Sequence, residues 1–164
     1  MRPRSIDQFL HHARVPFTTF QHTPAFTAQE EAAVSHVPGH SWAKIVVCFV
    51  DEEPVLAVLP AAMRVDLEAL RVLAGAVAIR LAQESEFAGL YPECQPGAMP
   101  PFGDLYLQRV FVDKSLVGEC EMCFNAGTHT DAIRMHYGDF VEVAHPVVGS
   151  FARRAGAGAA PASV

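Results

Sequence analysis

The apolar positions along the chain first define two strands. Val46, Val47, Phe49 and Val50 are β-branched or aromatic, and the run 46–50 is apolar at both alternating positions. This pattern is typical of a strand covered on both faces in the middle of a sheet. The polar segment 51–53 separates this run from a second apolar run at 54–59. A connection this short predicts that the two strands form an antiparallel pair.

Capping and breaking residues place the other elements. We expect helices from Ser5 to Pro16, from Thr27 to Val34 with Gly39 closing that region, from Asp66 to Gly75, at 84–90 and at 137–143. Short strands are expected at 15–21, 77–81, 105–112, 119–124 and, as the last strand, 130–135. Hairpins mixed with separate helices predict an α+β fold with one mixed or mostly antiparallel sheet.

Length and composition favour one domain with a single core. The chain has 164 residues, of which 51% are hydrophobic. We expect the domain to cover residues 1–152 and the small-residue segment 153–164 to be a disordered tail. No run approaches the roughly 18 apolar residues of a membrane span, the N-terminus lacks the apolar core of a signal peptide, and four cysteines fit a reducing compartment. These features predict a soluble, cytoplasmic protein.

The formal net charge is −6, which argues against a protein that coats nucleic acid non-specifically. It does not exclude a local basic patch that contacts one end of an RNA. The candidate residues for such a patch are Arg2, Arg4, Arg14, Arg64, Arg71, Arg109, Lys114 and Arg134. Lys44 stands near the start of the first apolar strand, on the same side as Val46 and Cys48. Its ammonium group either reaches water along the strand end or meets an anion in a cleft, such as a phosphate or a carboxylate.

Two loops are candidates for binding. The segment 97–103, GAMPPFG, is stiffened by Pro100 and Pro101, and its glycines allow close approach of a ligand. Such a loop can hold an oxyanion with backbone N–H groups, although most Pro-Gly loops are only rigid connections. The turn 125–130 contains His129, which is either a substrate-binding or basic residue or a solvated turn histidine.

Other chemistries have weaker support. The sequence contains no serine-hydrolase elbow, phosphate-binding P-loop, zinc-protease helix or dinucleotide fingerprint. Cys120 and Cys123 form a C-x-x-C motif, with His129 and His136 downstream, which raises a zinc or redox hypothesis. On a strand, residues three apart point to opposite faces, and a second C-x-x-C is missing, so we expect no metal site.

Three features occur in a specific order and spacing. They are Lys44 at the start of an apolar strand, G-x-x-x-P from Gly97 to Pro101, and Asn125-Ala126-Gly127 after a strand. Together they resemble the YbaK/prolyl-tRNA-synthetase-associated editing domain, and most closely its free-standing, trans-acting members. The resemblance runs from about Thr23 to Phe151. It implies a barrel-like mixed sheet with flanking helices.

The same resemblance implies an enzyme that hydrolyses mischarged aminoacyl-tRNA. Water would attack the ester with help from the ribose hydroxyl of the terminal adenosine, without metal or cofactor. Lys44 would anchor the tRNA acceptor end, Gly97 and Pro101 would belong to the substrate-holding loop, and Gly127 would lie beside the pocket. The aminoacyl group would be small, such as alanine, serine, threonine or cysteine.

Further residues are expected to contact the substrate or set its size. They are Ala98, Met99, Phe102, Gly103, Thr128 and His129. An aminoacyl-tRNA synthetase is a second candidate partner. The alternative hypothesis is a non-catalytic module of the same fold that binds tRNA or a synthetase.

Overall fold

In the computed structural model, which describes residues 6–23 and 27–154, the two apolar runs pair as predicted. Strands β2 (Ala43–Val50) and β3 (Glu53–Pro60) are antiparallel, with Lys44 opposite Leu59. Asp51 and Glu52 form the turn between them with positive φ angles of 49° and 67°. The hairpin is the centre of the fold.

The other elements follow in chain order. The helices are α1 (Ile6–Ala13), α2 (Ala28–Val34), α3 (Leu67–Ala74), α4 (Glu84–Leu90) and α5 (Tyr137–Ala144). The remaining strands are β1 (Thr18–Gln21), β4 (Met63–Val65), β5 (Ile79–Leu81), β6 (Arg109–Asp113), β7 (Glu121–Asn125), β8 (Asp131–His136), β9 (Val147–Gly149) and β10 (Ala152–Arg154). The fold is α+β, as the sequence predicts.

The described strands form three sheets rather than a closed barrel. The largest is a mixed sheet in the order β5-β2-β3-β6-β9, in which β6 and β9 are parallel to their neighbours. An antiparallel sheet has the order β1-β8-β7, and β4 pairs with β10. A single bridge between Trp42 and Cys123 joins the start of β2 to β7.

The large sheet is covered on both faces, which explains why β2 is apolar at both alternating positions. On one face, Val47 and Leu56 pack with Phe124 of the three-stranded sheet and with α1 and α5. On the other face, Val46 and Cys48 pack with α3. A third, smaller cluster around Trp42 connects α2 to the strands.

The predicted caps are confirmed at two helices. Thr27 Oγ1 accepts a hydrogen bond from Glu30 N at the start of α2, and Asp66 Oδ1 accepts one from Ala69 N at the start of α3. Gly75 ends α3 with a φ of 66°. Among the described residues, no helix has the length and apolar character that crossing a bilayer would require.

Three strands of three residues each escaped prediction, because so short a segment gives little periodic signal and, unlike the equally short β5, none of them lies within a longer predicted run. They are β4, β9 and β10, so β8 is not the last strand and α5 is not terminal. Buried Asp113 anchors the last segment by accepting hydrogen bonds from Phe151 N and Ala152 N, both at 2.8 Å. Strand β10 therefore extends to Arg154, two residues into the predicted tail, and residues 155–164 lie outside the described part of the chain.

Several predicted boundaries also move inward. The strand expected at 105–112 begins only at Arg109, because Gly103–Leu105 forms a 3-10 turn and Leu107 has a φ of 57°. Strands β1 and β7 begin at Thr18 and Glu121. Helix α2 ends at Val34 as predicted, but the residue with a positive φ after it is His36 (57°) and not Gly39.

Candidate functional site

A cavity of about 650 Å³ opens where α2, the start of β2, the β3–β4 turn and the loop before residue 98 meet. Its polar lining divides into two walls. Lys44 and Arg64 are on the strand side, and Glu30, Glu31, Asn125 and His129 are on the side of α2 and the β7–β8 turn. The cavity therefore has cations on one wall and carboxylate and amide groups on the other.

Lys44 is positioned by the register of the central hairpin. It is partly buried, and it lines the cavity beside Arg64 of β4. Burial, together with the neighbouring Arg64 charge, lowers the pKa of Lys44 from 10.5 to about 8. Burial and the Arg64 charge both disfavour the charged form of Lys44. An anion bound in the cavity would offset both effects, so this pair of cations is a candidate anion-binding site.

The side of the cavity formed by α2 and the β7–β8 turn is built around a buried carboxylate. Glu31 is 3% exposed. Its Oε2 accepts a hydrogen bond from Asn125 Nδ2 at 2.7 Å, and its Oε1 lies 2.8 Å from His129 Nδ1. The Nε2 atom of the same ring lies 2.7 Å from the carbonyl oxygen of Pro96. Both ring nitrogens of His129 therefore have an oxygen within hydrogen-bond distance, and the tautomer of the ring decides which nitrogen donates.

The loop is held to the β7–β8 turn by backbone hydrogen bonds. Gln95 N donates to Gly127 O, and Gly127 N donates to Ala98 O, at 2.8 and 2.9 Å. His129 N donates to the Gln95 side chain at 2.8 Å. Gly97, at the tip, has a φ of 84° and lines the cavity, and its N–H donates to none of the described residues. The network from Glu31 through His129 therefore fixes the backbone at Gly97.

A family model, the aminoacyl-tRNA editing domain, matches residues 22–143, which is more than half of the chain and includes the whole lining of the cavity. The chain belongs to the aminoacyl-tRNA editing domain family. No curated protein matches the sequence.

Solved structures show the same editing-domain fold. The hypothetical protein APE2540 is 19% identical, with a TM-score of 0.81 over 90% of this chain and 99% of that one. A candidate trans-editing enzyme for prolyl tRNA synthetase is 20% identical, with a TM-score of 0.76 over 90% and 94% of the two chains. A candidate signal transduction protein from Marinobacter aquaeolei VT8 is 19% identical, with a TM-score of 0.72, and this chain spans 31% of it.

Three of the predicted site residues of this editing domain line the same cavity. They are Lys44, Gly97 and His129. The amine of residue 44 and the tip of the proline-containing loop therefore belong to one pocket, although they are far apart in the sequence.

The other predicted residues do not line the cavity. Ala98, Met99, Pro101, Phe102 and Gly103 are buried in or against the core. Phe102 packs against Phe9, Phe124 and Phe140. Gly127 has a φ of 99°, and Thr128 Oγ1 donates to Asp131. These residues set the position of the loop and the turn.

Glu31 was not predicted as a site residue, Asn125 was named only as part of the turn and of the motif that carries the family resemblance, and Arg64 was counted only among the basic residues of a possible patch. One signal was available for Glu31, since it is adjacent to the apolar stripe of α2 that contains Ala28 and Ala32. A carboxylate at the edge of a buried face needs partners. Nothing local identifies those partners, because Asn125 is 94 positions away along the chain.

The C-x-x-C motif has no metal-binding geometry in the described ranges. Cys120 is exposed, whereas Cys123 is buried in the cluster around Trp42. Within residues 6–23 and 27–154, no group of three or more His, Cys, Asp or Glu side chains is placed to hold a metal ion. Burial raises the pKa of the Cys123 thiol despite the nearby Arg134, which disfavours the thiolate that a metal or a redox reaction requires.

Proposed function

We propose that this editing domain is a trans-editing hydrolase that deacylates mischarged aminoacyl-tRNA carrying a small amino acid, such as alanine, serine, threonine or cysteine. The observation that carries the proposal is the presence of Lys44 and the Gly97 bend on one cavity of about 650 Å³, within a chain of the editing family. A cavity of this size suits a terminal nucleoside with a small side chain.

In the proposed mechanism, Lys44 binds a phosphate of the acceptor end as a point charge. The Gly97 N–H, which has no partner among the described residues, donates to the carbonyl oxygen as it becomes an oxyanion. The free ribose hydroxyl of the terminal adenosine helps to activate the attacking water. Positioning supplies much of the acceleration, because an ester is already activated relative to an amide.

Pro101 and the buried residues 98, 99, 102 and 103 act indirectly in this proposal. They fix the loop that presents Gly97, and Gly127 and Thr128 fix the turn that presents His129. His129 lines the cavity itself, so it is the predicted specificity residue in direct reach of the aminoacyl group. The amino-acid choice then follows from the space left between His129 and the strand wall.

The proposed partner is the acceptor end of a tRNA in the cytoplasm, where tRNA is charged. Because one structural neighbour is a candidate trans-editing enzyme for prolyl tRNA synthetase, proline tRNA is the first tRNA to test and prolyl-tRNA synthetase the first synthetase. The formal charge of −6 restricts RNA contact to local cationic sites such as the strand wall of the cavity.

The direct test is a deacylation screen with alanyl-, seryl-, threonyl- and cysteinyl-tRNA, each prepared on proline tRNA and on its own tRNA. We expect the protein to release at least one of these amino acids from a tRNA that it does not match. We expect no release of the same amino acid from its own tRNA. If the protein binds tRNA or a synthetase but hydrolyses none of these esters, the non-catalytic module is the correct interpretation.

Arg64 should contribute to RNA binding more than to the chemical step. In the β4–β10 pair it is directly opposite Arg153, and like charges at such positions repel each other. Arg153 has Asp66 at 3.9 Å, whereas Arg64 forms no ion pair within the described residues. We expect Arg64→Ala to raise KM by about tenfold with little change in kcat, and to make binding less salt-dependent by about one counterion.

The measurement is kcat and KM at several salt concentrations, with Arg109→Ala as the matched control. Arg109 begins β6 and does not line the cavity. A fall in kcat at unchanged KM for Arg64→Ala would contradict a role in RNA binding.

A further inference from the structure

One residue of the cavity lining, Asn125, carries a buried oxygen without a hydrogen-bond partner among the described residues. Asn125 is 5% exposed, and its Oδ1 has no hydrogen-bond partner in the part of the chain that the structure describes. Leaving a buried acceptor unpaired destabilises the folded protein. Since Asn125 lines the cavity, a ligand that brings a donor to this oxygen would offset that destabilisation.

The orientation of the amide is fixed by Glu31. Asn125 Nδ2 donates to Glu31 Oε2 at 2.7 Å, and a flipped amide would set two acceptor oxygens against each other. Glu31 is in turn held by His129. The side-chain oxygen of Asn125 is therefore presented as an acceptor, and it cannot rotate to present a donor.

The charges of the cavity indicate which donor this oxygen receives. An aminoacyl-tRNA has phosphates at one end and a free α-ammonium group beside the ester. Lys44 and Arg64 on the strand wall attract the phosphates, whereas Glu30 and Glu31 lie on the wall that contains Asn125. A substrate bound with its phosphates on the cationic wall therefore turns its ammonium group toward Asn125.

We propose that the side-chain oxygen of Asn125 accepts a hydrogen bond from the α-ammonium group of the aminoacyl ester, and that Glu31 is the positioning residue that holds it in that orientation. This inference rests on the proposed deacylase function and deepens it. It assigns recognition of a free amino group, as distinct from the amino-acid side chain, to one residue of this chain.

The test compares the best aminoacyl-tRNA of the screen with its des-amino counterpart, which is propionyl-tRNA in the case of alanyl-tRNA. Each rate is divided by the uncatalysed hydrolysis of the same ester, so that the different reactivity of the two esters cancels. We expect wild-type kcat/KM to favour the aminoacyl ester by about 10- to 100-fold, the range for a hydrogen bond to a charged group.

Variants separate recognition from structure. Asn125→Ala and Glu31→Ala should abolish most of the preference by lowering kcat/KM for the aminoacyl ester, with a smaller change for the des-amino ester. Glu31→Gln should retain the preference, because a glutamine oxygen can accept from Asn125 Nδ2 while the glutamine amide can donate to His129 Nδ1. The matched control is Glu121→Ala on the same strand, which is exposed and outside the cavity and should leave both rates unchanged.

Two results would overturn this inference without affecting the proposed function. One is a wild-type enzyme that shows no preference for the aminoacyl ester over the des-amino ester, and the other is an Asn125→Ala variant that lowers both rates by the same factor. The first needs no variant and remains decisive if Asn125→Ala does not fold, which thermal unfolding would reveal. If wild-type protein hydrolyses no aminoacyl ester, the proposed function fails and this inference fails with it.

Discussion

Replacing Lys44 by methionine should abolish most deacylation and at the same time stabilise the protein. The loss of activity, expected to be about 100-fold or more in kcat/KM, follows from removing the cation that binds the acceptor end beside Arg64. The gain in stability follows because burial and Arg64 lower the pKa of Lys44 to about 8, which means that the folded state disfavours the charged form.

The lowered pKa of Lys44 determines how this stability change depends on pH. The unfolded chain holds the Lys44 proton up to about pH 10.5, and the folded protein releases it above about pH 8. The charged amine therefore lowers the free energy of unfolding at pH 7, and this penalty disappears as the pH rises from about 8 to 10.5. After a discount for partial exposure, we expect Lys44→Met to gain on the order of 1 kcal/mol at pH 7.

Thermal unfolding at pH 7 and at pH 10 measures the stability change, and single-turnover deacylation measures the activity. Lys114→Met is the matched control, since this exposed lysine lies in a 3-10 turn outside the cavity. Wild-type kcat/KM should also fall as the pH rises above about 8, once the uncatalysed hydrolysis is subtracted. An active Lys44→Met variant would remove this residue from the mechanism.

The predictable parts of the fold are those whose signal is local. The β2–β3 hairpin follows from two apolar runs and a polar turn, and the caps Thr27, Asp66 and Gly75 each mark a helix end within a few residues. In contrast, β10 depends on hydrogen bonds from its start to Asp113, at a separation of 39 positions for Ala152. No pattern within three residues could reveal such a partner.

In the candidate site, too, some features have a local sequence signal and others depend on residues that are distant in the sequence. The stiffness of the 97–103 loop is evident from its prolines, but its sequence does not show which side chains face the cavity. The structure turns Met99 and Phe102 into the core and leaves the backbone of Gly97 at the cavity. The carboxylate that holds this arrangement belongs to Glu31, whose side-chain partners Asn125 and His129 lie 94 and 98 positions away in the sequence.

Substitution by alanine should affect mainly stability at one glycine of that loop, Gly103, and mainly activity at the other, Gly97. A Cβ at Gly103 would lie 1.9 Å from the carbonyl oxygen of Gln108 and 2.9 Å from Val110 Cγ2. The chain folds back tightly here, with Gln108 N donating to Gly103 O at 3.0 Å. Because backbone would have to move, we expect Gly103→Ala to lose about 3 kcal/mol or more of unfolding free energy.

At Gly97 there is space, and the constraint is conformational. The nearest atom to an added Cβ is His129 Cε1 at 3.7 Å, but the φ of 84° is strained for alanine. Gly97→Ala should therefore lose only about 1–2 kcal/mol of stability while shifting the N–H that we assign to the oxyanion. We expect its kcat to fall about 10- to 100-fold in a protein that still unfolds cooperatively.

Chemical denaturation and single-turnover kinetics on both variants separate the two roles, with Gly118→Ala as the control. Gly118 has open space around a Cβ and no positive φ, so its replacement should change neither quantity. If Gly103→Ala were as stable as wild type but inactive, Gly103 would contact the substrate directly. If Gly97→Ala were fully active, the oxyanion would have to be bound elsewhere, and the stiffness of the loop would serve only to hold His129 against Glu31.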